Sequence, residues 1–153
     1  LLLTLLGCAA NPGSNRTAEK TPIFDAQLAE KLGADHYGMK SYTLVILKTG
    51  PKDAVITDKD QRALLFKGHF SNMQALEKSG KLIMAGPFST KNSLGYRGLF
   101  LLDTTSLELA QSLLQNDPTI KAQIFELELL PFYGSAAIPT LLDVHKKIAK
   151  ESP

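Results

Sequence analysis

Apolar side chains fill both alternating sets of positions from Tyr42 to Leu47. That pattern predicts a strand at 42–48 covered on both faces. Gly50-Pro51 ends it, and Thr57 and Asp58 then offer caps for a helix over 59–78. Leu65, His69, Asn72, Met73 and Leu76 share one face of that helix. Ser79-Gly80 stops it. A second strand at 81–88, interrupted by Gly86-Pro87, and a third at 96–102 flank a turn at Asn92 to Gly95 and read as a hairpin. Asp103 to Ser106 cap a second helix with Leu107, Ala110, Leu113 and Leu114 facing the core. Asn116-Asp117-Pro118-Thr119 breaks that helix and starts a further helical turn, with Pro118 at its first position. The fourth strand is expected at 124–130. Phe125, Leu127 and Leu129 lie on one face, Glu126 and Glu128 on the other, and Pro131 ends it.

The order β-α-β-β-α-β predicts an α+β fold of the ferredoxin-like, split-βαβ kind, with a four-stranded antiparallel sheet. Two helices cover one sheet face. Tyr42, Leu44 and Ile46 fall on the other, so that face needs its own cover. The simplest cover is a second copy, giving a homodimer with face-to-face sheets. Outside this core, Phe24, Leu28 and Leu32 recur every four residues before Gly33, predicting a short helix. A last helix is expected over 139–150, with Leu141, Val144 and Ile148 opposite Lys146, Lys147 and Lys150.

The length of 153 residues allows one domain plus tails. A net charge of +2, with no basic run interleaved with aromatics, gives no sign of nucleic-acid binding. One cysteine excludes an intrachain disulfide and a multi-cysteine metal site. That cysteine ends an apolar run, Leu5-Leu6-Gly7-Cys8, which resembles the lipobox of bacterial lipoproteins. The resemblance implies cleavage before Cys8, acylation of Cys8 and a lipid bilayer as partner. The protein is then expected in the bacterial cell envelope, lipid-anchored. Ala9-Ala10 carries no acidic retention signal, which points to the outer membrane facing the periplasm. The plainer reading keeps Cys8 as a buried hydrophobe of an N-terminal helix. The chain therefore divides into a signal-peptide remnant (1–7), a segment of lipidated Cys, tether and short helix (8–40), the domain (41–133) and a C-terminal helical tail (134–153).

His69 is the one titratable group on the apolar stripe of its helix. An unpaired polar group buried there costs about 1–3 kcal/mol, so it must have a partner or border a cavity. It is either a satisfied core histidine or a general base. Gly86 either lets a ligand approach the backbone or marks a bulge. Arg97 either binds an anionic substrate or sits exposed on a strand edge. Asp117 reads as a helix cap before Pro118. His36 and His145 lack metal-ligand spacing. No dinucleotide fingerprint, P-loop or nucleophile elbow occurs, so no nucleotide, metal or flavin cofactor is inferred.

Lys67-Gly68-His69-Phe70, Leu76, Gly80-Lys81-Leu82, Ala85-Gly86-Pro87-Phe88, Asn116-Asp117-Pro118 and Leu129-Leu130-Pro131-Phe132 together resemble the YciI-like (YCII-related) family over residues 41–133. The resemblance implies a dimeric α+β barrel in which His69 and Asp117 meet as a catalytic pair. That pair is expected to meet in a pocket, and Gly86, Pro87, Phe88 and Arg97 are taken here as its substrate-binding residues. One branch of the family resembles lyases that remove chloride from chlorinated hydroquinones. Two functions stay open. One is an envelope enzyme using a His–Asp dyad in lyase- or isomerase-like proton transfer on a small cyclic or aromatic molecule. The other is a non-catalytic ligand-binding or assembly lipoprotein.

Overall fold

The computed structural model describes residues 23–151, and the expectations for Cys8 and the tether up to residue 22 lie outside them. β1 (Met39–Thr49) is the spine of the sheet, because both of its edges are paired. On one side lies β3 (Tyr96–Leu102), which pairs in turn with β2 (Leu82–Pro87). On the other lies β4 (Phe125–Ser135). Every pairing is antiparallel, and the order β2-β3-β1-β4 is the ferredoxin-like one expected from the sequence.

The helices form where their caps are. Asp58 accepts a hydrogen bond from the Gln61 backbone at the start of α2 (Lys59–Lys78), and Ser106 does the same for Leu109 in α3 (Leu107–Leu114). With the one-turn α4 (Pro118–Lys121) they cover one sheet face. Val45, Leu47, Phe100, Leu102 and Leu82 from the sheet are buried there against Leu76, Ala110 and Leu114.

Several expected boundaries are corrected. Pro131 does not end the fourth strand, which continues to Ser135 with Pro131 opposite Thr43. β4 is an edge strand, and a proline that lacks an N–H is tolerated at an edge. The same reason lets β2 run unbroken through Gly86-Pro87 on the opposite edge. The β2–β3 irregularity falls between Leu82 and Met84, not at Gly86. The last helix is a 3-10 turn (Ile138–Thr140) leading into α5 (Leu141–Ile148). α1 (Ala26–Leu32) carries the expected Gly33 cap, with φ at 68°, yet buries none of its residues.

The far sheet face, for which a second copy is the simplest cover, is also partly covered from within the chain. Tyr42, Ile83 and Leu101 are buried there together, with Ile138 of the C-terminal segment packed on them. Leu130 and Phe132 on β4 remain 40% and 38% exposed. Among the described residues no helix is long and apolar enough to cross a membrane.

Candidate functional site

His69 sits in the middle of α2 and faces the sheet, where it is 6% exposed. Gly68 makes its surroundings possible. A Cβ at that position would lie 2.5 Å from Cγ of Pro118, so only glycine lets α4 approach α2 this closely. The approach carries Asp117, the N-cap of α4, up to the imidazole. His69 Nδ1–H donates to Asp117 Oδ2 at 2.7 Å. The other oxygen, Oδ1, accepts from the Thr119 backbone at 2.9 Å and from the Thr119 hydroxyl at 2.6 Å. Asp117 is thus a helix cap through one oxygen and a histidine partner through the other. The two readings of this residue hold together.

Asp117 has no solvent exposure. Burial pushes its carboxyl pKa up. The hydrogen bonds from His69 and Thr119 and the histidine's charge together outweigh burial, and they hold the carboxyl below its ordinary value. A buried carboxylate fixed in this way sets the histidine tautomer, with hydrogen on Nδ1 and a lone pair on Nε2. Nε2 has no hydrogen-bond partner among the described residues, and it is not among the fully buried unpartnered atoms.

His69 forms part of the wall of a cavity of about 420 Å³ between α2 and the β2–β3 hairpin. Four phenylalanines surround the ring. Phe100 stacks on it at a centroid distance of 5.9 Å, and Phe66, Phe70 and Phe125 meet it edge-on. Gly86, Pro87 and Phe88 form the opposite wall, and a Cβ at Gly86 would meet only open space. Arg97 also lines the cavity. It does not stand on a strand edge, because β3 is an interior strand. Its Nη1 donates to Asp53 at 2.8 Å, and its guanidinium lies 5.3 Å from the Phe125 ring centre. Asp53 is held on its other oxygen by Arg62, also at 2.8 Å. Burial raises the Asp53 pKa, and the two guanidiniums override this and lower it.

The structure therefore gathers His69, Gly86, Pro87, Phe88 and Arg97 around one cavity, with Asp117 directly behind His69. Reading the sequence missed Thr119, the Asp53–Arg62 pair and the packing role of Gly68. Thr119 carried a usable signal, since a capping aspartate commonly bonds the backbone two residues on, which places Thr119 beside the carboxylate. Asp53 carried none, because a lone acid in the segment after Gly50-Pro51 reads as solvated. His36 and His145 are exposed, and among the described residues no group of three or more His, Cys, Asp or Glu is placed to hold a metal.

The family model of the YCII-related domain matches residues 42–133. Among solved structures, the chain is similar to 5-chloro-2-hydroxyhydroquinone dehydrochlorinase from Burkholderia phenoliruptrix in complex with 2,5-dihydroxybenzoquinone. The identity is 19% and the TM-score 0.43, over 60% of this chain and 92% of that one. No curated protein matches.

Proposed function

The chain belongs to the YCII-related domain family, and we propose that it is an enzyme performing acid–base chemistry on a small cyclic or aromatic molecule. One observation carries this reading: a buried His69–Asp117 pair at 2.7 Å, whose free nitrogen belongs to a ring lining an apolar cavity of about 420 Å³. That volume falls within the range of small-molecule sites. A substrate O–H or acidic C–H placed against Nε2 gives up its proton to the ring. The imidazolium so formed keeps its hydrogen bond to Asp117, whose negative charge stabilises it. The ring then delivers a proton, its own or one exchanged with solvent, to the substrate at another atom or to a departing group. This is proton transfer of the lyase or isomerase kind, and it uses no group beyond the chain's own residues. The phenylalanine walls suit a flat, weakly polar body.

The test is a panel of hydroxylated aromatics and cyclic lactones incubated with the protein in D₂O, read by NMR for deuterium uptake, elimination or rearrangement. Turnover should fall about 10²–10⁴-fold in His69→Gln. Molecules that bind wild type and His69→Gln equally and are never transformed would instead favour a non-catalytic binding protein.

We also propose that Cys8 is acylated and tethers the protein to the outer membrane, supported by the Leu5-Leu6-Gly7-Cys8 run. Cys8→Ser should abolish labelling by fatty acid and release the protein from membranes. Persistent labelling would refute the anchor. A homodimer through the remainder of the far sheet face belongs to the same proposal.

A further inference from the structure

Thirteen residues line the His69 cavity, and only His69 and Arg97 among them have polar side chains. The Arg97 side chain is 36% exposed, so its guanidinium stands where the cavity meets solvent and is open to an entering ligand. Part of the guanidinium charge is accounted for by Asp53, but Asp53 is shared with Arg62, so the cluster of two arginines and one carboxylate keeps a net positive charge. Asp53 engages Nη1 alone. Nη2 and Nε of Arg97 have no hydrogen-bond partner among the described residues. These two donors form one edge of the fork that matches a planar carboxylate with two parallel hydrogen bonds. Asp53 and the Phe125 ring fix the plane of the guanidinium. His69 packs against the same Phe125 ring, at a centroid distance of 5.6 Å, so both polar groups of the cavity border one aromatic platform.

We propose that the cavity selects a flat ring carrying a carboxylate, with Arg97 holding the carboxylate and His69 facing a proton-bearing position on the ring. This rests on the small-molecule reading of the cavity above and adds the charge of the ligand to it. Asp53 is a positioning residue, acting on the ligand only through Arg97.

The experiment compares two probes of nearly the same shape, 4-hydroxybenzoate and its neutral amide, 4-hydroxybenzamide. Affinities are measured by calorimetry on the full chain at low salt. Wild type should bind the carboxylate at least about tenfold more tightly, the factor expected of one charge-assisted pair. Arg97→Gln should reduce that preference to near unity by weakening the carboxylate alone. Arg97→Lys, which keeps the charge but not the fork, should fall between. His69→Gln should retain the preference, because the carboxylate contacts Arg97. Equal binding of both probes by wild type, or a preference that survives Arg97→Gln, would overturn the charge assignment while leaving a small-molecule cavity in place. If neither probe binds at millimolar concentration, both the assignment and the small-molecule reading fall.

Discussion

Asp117 shows how one side chain serves fold and chemistry together, and it makes the site sensitive to acid. Its folded pKa lies below the unfolded reference of 3.8. A carboxylate with a depressed pKa stabilises the fold fully above the unfolded value, and that contribution is lost as pH falls through the folded value. Asp117→Asn should therefore cost about 2 kcal/mol at neutral pH, the scale of a buried hydrogen bond to a charged group. The gap between mutant and wild type should narrow below about pH 4. Urea unfolding at pH 7 and pH 3 checks this, and a gap that widened in acid would contradict the assignment. One turn beyond His69, the side-chain nitrogen of Asn72 is buried with no partner. Asn72→Leu removes that orphan donor and should raise stability by about 1 kcal/mol. A loss of stability would mean that the amide is satisfied by a bound water.

The helix pair α2 and α4 is where element packing becomes chemistry. Gly68→Ala places a methyl group 2.5 Å from a proline ring that cannot rotate away. Overpacking of this kind costs about 1–3 kcal/mol, against a helix-propensity gain of up to about 1 kcal/mol. The net effect should be a less stable protein. Because Asp117 directly precedes Pro118, the displaced α4 should also draw the carboxylate away from His69. A misplacement of about 1 Å can lower turnover about 10²-fold. An alanine variant with wild-type stability and turnover would show that the contact is slack. Legibility of the elements follows the same division between local and distant causes. Periodicity and caps placed α2, α3 and all four strands, because those signals lie within each segment. Pro131 misled because it is tolerated on an edge, and which strand lies at an edge depends on the pairing of distant segments. The strand-edge alternative for Arg97 fails for the converse reason, because β3 is an interior strand. The alignment of His69 with Asp117, 48 residues apart, was supplied by a family motif and not by any local pattern.

At the scale of the whole molecule, the sheet has two faces and the helices α2, α3 and α4 cover one of them, the site face. On the far face Ile138 packs over Tyr42, Ile83 and Leu101, so the C-terminal segment does part of the work first assigned to a second copy. Apolar surface remains on the β4 side, where Leu130 and Phe132 stay partly exposed. Glu128 on the same strand is paired with Lys48 at 3.6 Å. An apolar strip flanked by a paired charge can meet itself across a two-fold axis, where each copy offers the same surface to the other. We predict that residues 9–153 sediment at twice the chain mass at micromolar concentration, and that Leu130→Glu converts the dimer to monomer without unfolding it. The glutamate would stand opposite apolar surface in the dimer, whereas in the monomer a position already 40% exposed gives its carboxylate access to water, so most of its cost falls on association. The circular dichroism of Leu130→Glu should match wild type, which separates lost association from lost fold. A wild-type chain that is monomeric at ten micromolar would mean that Ile138 and its neighbours already cover as much of the far face as the fold needs.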